Sequence, residues 1–121
     1  MGYESKLYII EKRNHSLKHD GMRWGEVIAT YDLCKCGPIT DFMYNRHATD
    51  CYVYADDGNT RITEDEYGKK LTEAPIPLVI AELEKLKEYD YRRIYPLLSM
   101  LQTFENNRDQ WGEIAVLHYG H

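Results

Sequence analysis

The sequence predicts an α+β fold, in which an antiparallel or mixed sheet of about five strands carries two helices packed on one face. Three observations support this: β-branched and aromatic runs lie near both ends, an Asp-Gly pair divides two such runs in the middle, and two helical patterns precede the last run. The predicted order is β-β-β-β-α-α-β, with helices segregated from most strands. A chain of 121 residues suits one domain, residues 1–121.

Four strands are predicted in the first half of the chain. The first is KLYIIEK, residues 6–12, and the second is VIATYDLC, residues 27–34, where alternate residues share a face. The stretch GPITDFMYNRHATD opens on a Gly-Pro breaker and is predicted to be a connection with room for one helical turn. The third and fourth strands form a hairpin around Asp57-Gly58, a dipeptide that tolerates positive φ.

Two helices and a last strand are predicted in the second half. Pro75 and Pro77 mark the first helix, because proline fits the first helical turn. Pro96 lies inside the second helical pattern, which ends near Asn106-Asn107, so that helix begins at Pro96 or is kinked there. The run EIAVLHY, residues 113–119, predicts a central strand covered on both sides. The helical stripes are Ile76, Val79, Ile80, Leu83 and Leu86, then Ile94, Leu97, Leu98, Leu101 and Phe104.

The tripeptide Trp-Gly-Glu occurs twice, at residues 24–26 and 111–113. We interpret it as a way of entering a strand, because glycine permits the geometry of a turn or bulge and tryptophan can cover the end of the sheet. The alternative is a carboxylate site made by Glu26 and Glu113. No third group converges on that pair in the sequence, so the framework interpretation is favoured.

Composition limits the location and the class of partner. The net charge is −5 and the pI is near 5.5, which disfavours direct binding to duplex DNA. No apolar run approaches the roughly 20 residues of a membrane span, and no secretory signal is recognisable. Three cysteines, an odd number, indicate reduced thiols. We therefore expect a protein of the cytoplasm that needs neither a membrane nor a cofactor.

One constellation could bind a metal. Cys34, Cys36, His47 and Cys51 offer three thiols and one imidazole, which zinc can accept tetrahedrally. Cys34 and Cys36 leave only one residue between them, whereas structural zinc pairs usually leave two to four, so buried thiols are favoured and no metal ligand is assigned. His118 is predicted to be either a hydrogen-bonded core residue or a residue at an interface.

Two groups of residues are candidates for binding. The first is an acidic hairpin with neighbouring tyrosines, either a solvated hairpin or a patch offered to a basic, nucleic-acid-binding protein. The second group could hold an anion through forked guanidinium donors, although solvated arginines at helix ends are more common. The first group is Tyr52, Tyr54, Asp56, Asp57, Glu64, Asp65 and Glu66, and the second is Arg46, Tyr91, Arg92, Arg93 and Arg108.

The segments MGYESKLYIIEK, YVYADDGNT and VLHYG resemble a group of small proteins encoded by phages and prophages of Gram-positive bacteria. The resemblance implies an accessory protein in the bacterial host cytoplasm, similar to inhibitors of host defence. The first hypothesis is thus a non-catalytic homo-oligomeric binder that inhibits or sequesters a host protein, for example in an anti-CRISPR-like way. The alternatives are a nucleotide-signal sponge and a zinc-stabilised module or small metal-dependent enzyme.

Overall fold

The computed structural model describes residues 4–16, 21–34 and 37–121, and the side chains of residues 14–16 and 34 are not described. The α+β prediction is confirmed, with six strands and three helices in the described part of the chain. The strands are β1 (Ser5–Ser16), β2 (Arg23–Cys34), β3 (Cys51–Tyr54), β4 (Arg61–Ile62), β5 (Thr72–Ala74) and β6 (Glu113–Gly120). The helices are α1 (Gly37–Tyr44), α2 (Ile76–Leu86) and α3 (Tyr91–Asn106), and a 3₁₀ turn covers Arg108–Gln110.

The sheet is mixed and has the strand order β4-β3-β2-β1-β6-β5. The pairs β1·β2, β1·β6, β5·β6 and β3·β4 are antiparallel. The parallel pair is β2·β3, and it joins the strands through only two register pairs, Arg23 with Cys51 and Trp24 with Tyr52. The long strands β1, β2 and β6 therefore form the centre, and the β3–β4 hairpin is attached to their edge over a short length.

Each face of the sheet has its own core. On one face the three helices cover Leu7, Ile9 and Val116, and this larger core is completed by the apolar stripes of the helices. On the other face Tyr8 and Ile10 pack with Leu117 and with residues of the hairpin region. Alternate residues of β1 thus face different cores, as the period of two requires. β6 has buried residues on both faces, which confirms the prediction of a strand covered on both sides.

Several predicted elements need correction. The stretch read as a connection contains the eight-residue helix α1, which buries Ile39 and Met43, one turn apart. The strand β5 was not predicted, and β1 and β2 are both longer than the apolar patterns that predicted them. The helix α3 begins at Tyr91, not at Pro96, because Asp90 accepts a hydrogen bond from the backbone N–H of Arg93 at the first turn.

Neither of the two Trp-Gly-Glu glycines has a positive φ, and both lie where a strand begins or where the strand register is irregular. Gly25 lies inside β2 with an ordinary φ, and a Cβ there would come within 2.7 Å of the Ile10 side chain and 3.2 Å of the Tyr52 carbonyl oxygen. Its role is therefore to let the Ile10 side chain of β1 and the backbone of β3 pack closely against β2. Gly112 precedes β6, and its backbone N–H donates to Glu11 Oε2 at 2.5 Å. The predicted hairpin is confirmed, with Gly58 at φ +73°.

Within the described residues, no helix combines the length and the apolar character that crossing a membrane would require.

Candidate functional site

The face of the sheet opposite the helices carries a cleft of ≈ 400 Å³. Its floor is made by Tyr8 of β1 and Tyr119 of β6, whose rings meet edge to face with centroids 6.1 Å apart. Tyr54 at the end of β3 and Asp56 in the following turn form one wall. Lys6, Glu66 and His121 complete the polar lining, and Val27, Thr30, Ala55 and Ile62 complete the rest.

The acidic wall groups influence the phenols of the cleft floor. The pKa of Tyr8 is raised, first because the group is buried and then because Tyr119 and Asp56 lie nearby. The pKa of Tyr119 is raised by burial and then by the negative charges of Glu66 and Asp65. Both phenols therefore stay protonated near neutral pH, and the carboxylates give the cleft a negative field that favours a cation.

Tyr54 is held in the wall by a chain of aromatic contacts. Its ring meets Trp24 at 6.2 Å and Tyr52 at 5.4 Å between centroids, in both cases edge to face. The guanidinium of Arg61 lies 4.4 Å from the centroid of the Tyr52 ring, on the antiparallel neighbour β4. Trp24 of β2 pairs with Tyr52 of β3 in the strand register. The strand β2 and the β3–β4 hairpin therefore fix the position of Tyr54.

The predicted partner-binding residues separate into distinct positions. Asp56 and Glu66 line the cleft, whereas Glu64 lines a second cleft of ≈ 330 Å³ beside Thr49 and Asp50. Tyr54 is exposed, but Tyr52 is only 3% exposed. The surface that a partner could touch is therefore smaller than the predicted set, and that it binds a partner stays a prediction.

The other two predicted acids serve turns of the backbone. Asp57 accepts hydrogen bonds at 2.8 Å from the backbone N–H groups of Asn59 and Thr60. Asp65 is 8% exposed and accepts from the backbone N–H groups of Tyr67 and Lys69. Both carboxylates hold the hairpin region in shape, so neutralising them would disturb the fold as well as the charge.

The predicted anion-binding residues are not brought together. Arg92 and Arg93 lie in the first turn of α3, whereas Arg108 follows its last turn, about 24 Å further along the helix axis. Arg93 donates to the carbonyl oxygen of Leu33, and Arg46, after α1, donates to the carbonyl of Phe42. Tyr91 stacks on Tyr95 with centroids 4.9 Å apart. No single small anion can bridge these positions.

The predicted zinc constellation is only partly described. Cys36 and the side chain of Cys34 lie outside the described residues, and His47 is exposed. Cys51 is fully buried, and burial followed by the negative charge of Asp50 raises the pKa of its thiol to about 11. At neutral pH this sulfur keeps its proton, which disfavours metal binding by Cys51.

A network of matched charges occupies one end of the central strands. We call it the Lys12 network. Lys12 Nζ lies 3.1 Å from Asp50 Oδ1 and 2.8 Å from Glu73 Oε2, and Glu113 Oε2 is 3.7 Å away. Arg23 also approaches Glu113, at 3.3 Å, and Asp50, at 3.8 Å. Burial alone would lower the pKa of Lys12, but the hydrogen bonds and charges of Glu73 and Asp50 outweigh it, so the pKa is raised.

Arg13 extends the Lys12 network to the first Trp-Gly-Glu glutamate. Its guanidinium contacts Glu26 and lies 2.9 Å from Glu11, the residue that accepts from the Gly112 N–H. Arg23 Nε donates to the Arg13 carbonyl oxygen at 3.2 Å, which links the two groups of charges. The two repeat glutamates, Glu26 and Glu113, are thus each paired with a cation, in neighbouring parts of this network. This arrangement supports the framework interpretation of the repeat over a reactive carboxylate pair.

Of the residues that line the cleft, the predicted partner-binding set includes only Tyr54, Asp56 and Glu66, so most of the lining was not predicted. Lys6, Tyr8, Tyr119 and His121 reach it from β1 and from β6 and its end. Alternation along each strand could have placed these residues on one face, but it could not show that β1 lies between β2 and β6. The hydrogen-bonded core role predicted for His118 is confirmed, since its Nε2 lies 2.9 Å from Ser5 Oγ.

Comparisons with known proteins give no relative. No family model matches the chain, no curated protein matches it, and no solved structure matches it.

Proposed function

We propose that this is a non-catalytic binding protein that captures another protein by seating a basic side chain in the cleft. The observation that carries the proposal is that aromatic rings and carboxylates line the same open cleft. Tyr8 and Tyr119 form its floor and Tyr54 part of its wall, beside Asp56 and Glu66. Aromatic faces and carboxylates together favour a guanidinium or ammonium group.

A cation already lies against the floor of the cleft. Lys6 Nζ is 5.6 Å from the centroid of the Tyr8 ring, within the distance at which a ring face attracts a cation. Burial first, and the negative charges of Asp56, Asp65 and Glu66 after it, raise the pKa values of Tyr8 and Tyr119. A net charge of −5 would also speed the approach of a basic partner.

The biological role that we propose follows from the resemblance to small phage-encoded proteins. A basic segment held in the cleft would be withheld from its own ligand, and nucleic-acid-binding proteins of the bacterial host present such segments. Inhibition or sequestration of a host defence protein, in the manner of an anti-CRISPR protein, is the role that this capture supports.

The binding step is tested with a defined probe. An eight-residue peptide of alternating arginine and glycine is titrated into ¹⁵N-labelled protein, and amide shifts are followed by NMR. We expect saturable shifts at Tyr8, Tyr54 and Tyr119, and a loss of binding of at least tenfold in the double variant Asp56→Asn/Glu66→Gln. The control Glu64→Gln removes the same kind of charge from the second cleft and should leave binding unchanged.

Two results would contradict the proposal. One is an equal loss in Glu64→Gln, which would mean that the peptide follows overall charge instead of the cleft. The other is unchanged binding in the double variant. For the host role, proteins recovered from a bacterial lysate by the wild-type protein must be lost with Asp56→Asn/Glu66→Gln and kept with Glu64→Gln, with the mass of the free protein in solution testing the predicted homo-oligomer.

A further inference from the structure

Three ligating side chains meet at the end of the central strands that lies opposite the Lys12 network. Glu4 and His121 are joined by two backbone hydrogen bonds of 2.7 and 2.9 Å, so their side chains lie side by side on one face. On the other side of β1, Asp32 pairs with Lys6, two residues from Glu4. One carboxylate oxygen from each acid and one His121 ring nitrogen all lie within 4.8 Å of one another.

His121 carries a buried ring nitrogen that no described residue satisfies. Its Nε2 is buried without a hydrogen-bond partner, although the residue as a whole is half-buried at the edge of the cleft. Leaving a buried polar nitrogen without a partner is costly, so groups of this kind usually have a hydrogen-bond partner or a bound ion. The ring of His121 lies beside Tyr119, with centroids 6.2 Å apart, which limits its orientations.

The donor set fits a transition-metal ion. One imidazole and two carboxylates suit divalent ions such as Zn²⁺ and Mn²⁺, and three protein ligands leave a coordination position open. Bonds of about 2.0–2.2 Å in a tetrahedral arrangement place ligand atoms about 3.4 Å apart. The three ligand atoms lie up to 4.8 Å apart, so they would need to close by as much as about 1.4 Å around an ion. Asp32 is exposed and Glu4 is half-buried, so both side chains lie near the surface.

We propose that Glu4, Asp32 and His121 form a binding site for a divalent transition-metal ion at the edge of the cleft, with its open position accessible to a ligand in the cleft. We call this set the triad. The inference does not depend on the proposed function, because the triad shares only His121 with the cleft lining and excludes Asp56 and Glu66.

The test is a calorimetric titration of the full chain, purified without a histidine tag, with Zn²⁺ and separately with Mn²⁺. We expect one equivalent of at least one ion to bind, and His121→Gln and Asp32→Asn each to weaken that binding at least tenfold. In NMR spectra, the imidazole protons of His121 should shift on addition of Zn²⁺ while those of the exposed His47 do not. Circular dichroism checks that the variants keep the fold.

Two controls separate the triad from other sites. His47→Gln should leave metal binding unchanged, and so should Asp56→Asn/Glu66→Gln, which abolishes only the proposed peptide capture. Metal binding that survives His121→Gln at full affinity would overturn the proposal, as would the absence of binding to either ion at millimolar concentration. Loss of metal binding with peptide capture intact would leave the proposed function standing.

Discussion

The two ends of the three central strands both carry carboxylates beside basic side chains, but one end is a network of ion pairs and the other holds a buried histidine nitrogen that no described residue satisfies. In the Lys12 network each of five carboxylates, Glu11, Glu26, Asp50, Glu73 and Glu113, lies within 4.0 Å of a cation. In the triad two carboxylates surround a histidine whose Nε2 has no hydrogen-bond partner. Matched charge is typical of a framework, whereas an unsatisfied buried atom indicates a place kept for a ligand.

The largest expected effect is the loss of stability when the Lys12 network is broken. Lys12→Met removes the cation shared by Asp50, Glu73 and Glu113, and the Lys12 side chain is only 8% exposed. Breaking a buried ion pair costs about 3–5 kcal/mol, and we expect about 3 kcal/mol because two of the partners are more than half exposed. Urea unfolding measures this loss of unfolding free energy.

The control for that variant is Lys87→Met, which removes a surface pair with Glu84 and should change the unfolding midpoint little. An equally small effect of both variants would show that the Lys12 network does not stabilise the fold.

The next effect concerns His118, a buried histidine whose Nε2 lies 2.9 Å from Ser5 Oγ. Burial lowers the pKa of His118 to about 4, more than the Asp65 charge raises it, while an unfolded histidine has a pKa near 6.5. Because the unfolded chain binds a proton first, stability is complete above about pH 6.5 and is lost as the pH falls toward 4. This group should contribute a loss of about 2 kcal/mol between pH 7 and 4.5.

Urea unfolding between pH 7 and 4.5 tests this loss of stability. The variant His118→Gln is compared with His47→Gln. His118→Gln should flatten this part of the pH dependence, and His47→Gln should leave it unchanged. A wild-type curve that stays flat from pH 7 to 4.5 would contradict a buried neutral His118.

A smaller effect is expected at the closest backbone approach. Gly25→Ala places a Cβ 2.7 Å from Ile10 Cδ1 and 3.3 Å from the Cys51 side chain. Overpacking of this kind costs about 1–3 kcal/mol, and we expect about 1.5 kcal/mol, since the Ile10 methyl can move. Gly37→Ala is the matched control, because nothing lies within 4 Å of a Cβ there. Equal unfolding midpoints for the two variants would show that Gly25 is not crowded.

The smallest expected effect is at Asp57. Hydrogen bonds from Thr60 and Asn59 lower the pKa of this exposed carboxyl, so its contribution is lost as the pH falls through that lowered pKa. Asp57→Asn should lower the unfolding midpoint less than the variants above and should broaden the amide signals of Asn59 and Thr60. Unchanged amide signals would mean that the turn does not need the carboxylate.

Local patterns explain which elements could be predicted. Runs of β-branched and aromatic residues mark the strands β1, β2 and β6, and apolar stripes mark the helices α2 and α3. Each of these elements can therefore be recognised from its own sequence. The three residues of β5, Thr-Glu-Ala, have little strand preference and form a strand because they pair with β6. Tertiary pairing of this kind leaves no local signal.

The candidate site was predictable only where its residues are neighbours in the chain. Asp56 and Glu66 stand out as part of an acidic run, but the two acids that serve turns stand out equally, and only backbone conformation separates them. Glu4 and His121 lie at opposite ends of the sequence. Their meeting depends on β6 pairing with β1, which no spacing in the sequence reveals.

The short β2·β3 attachment has a mechanical consequence. The wall that carries Tyr54 and Asp56 pairs with β2 through only two residue pairs. Asp50 directly precedes this wall in the chain. The Asp50 side chain forms an ion pair with Lys12, and its carbonyl oxygen accepts a hydrogen bond from the Arg23 backbone N–H. Asp50 thus connects the start of that wall to the Lys12 network. A change at Asp50 therefore acts on the cavity through the start of this wall, without altering any residue that lines the cavity.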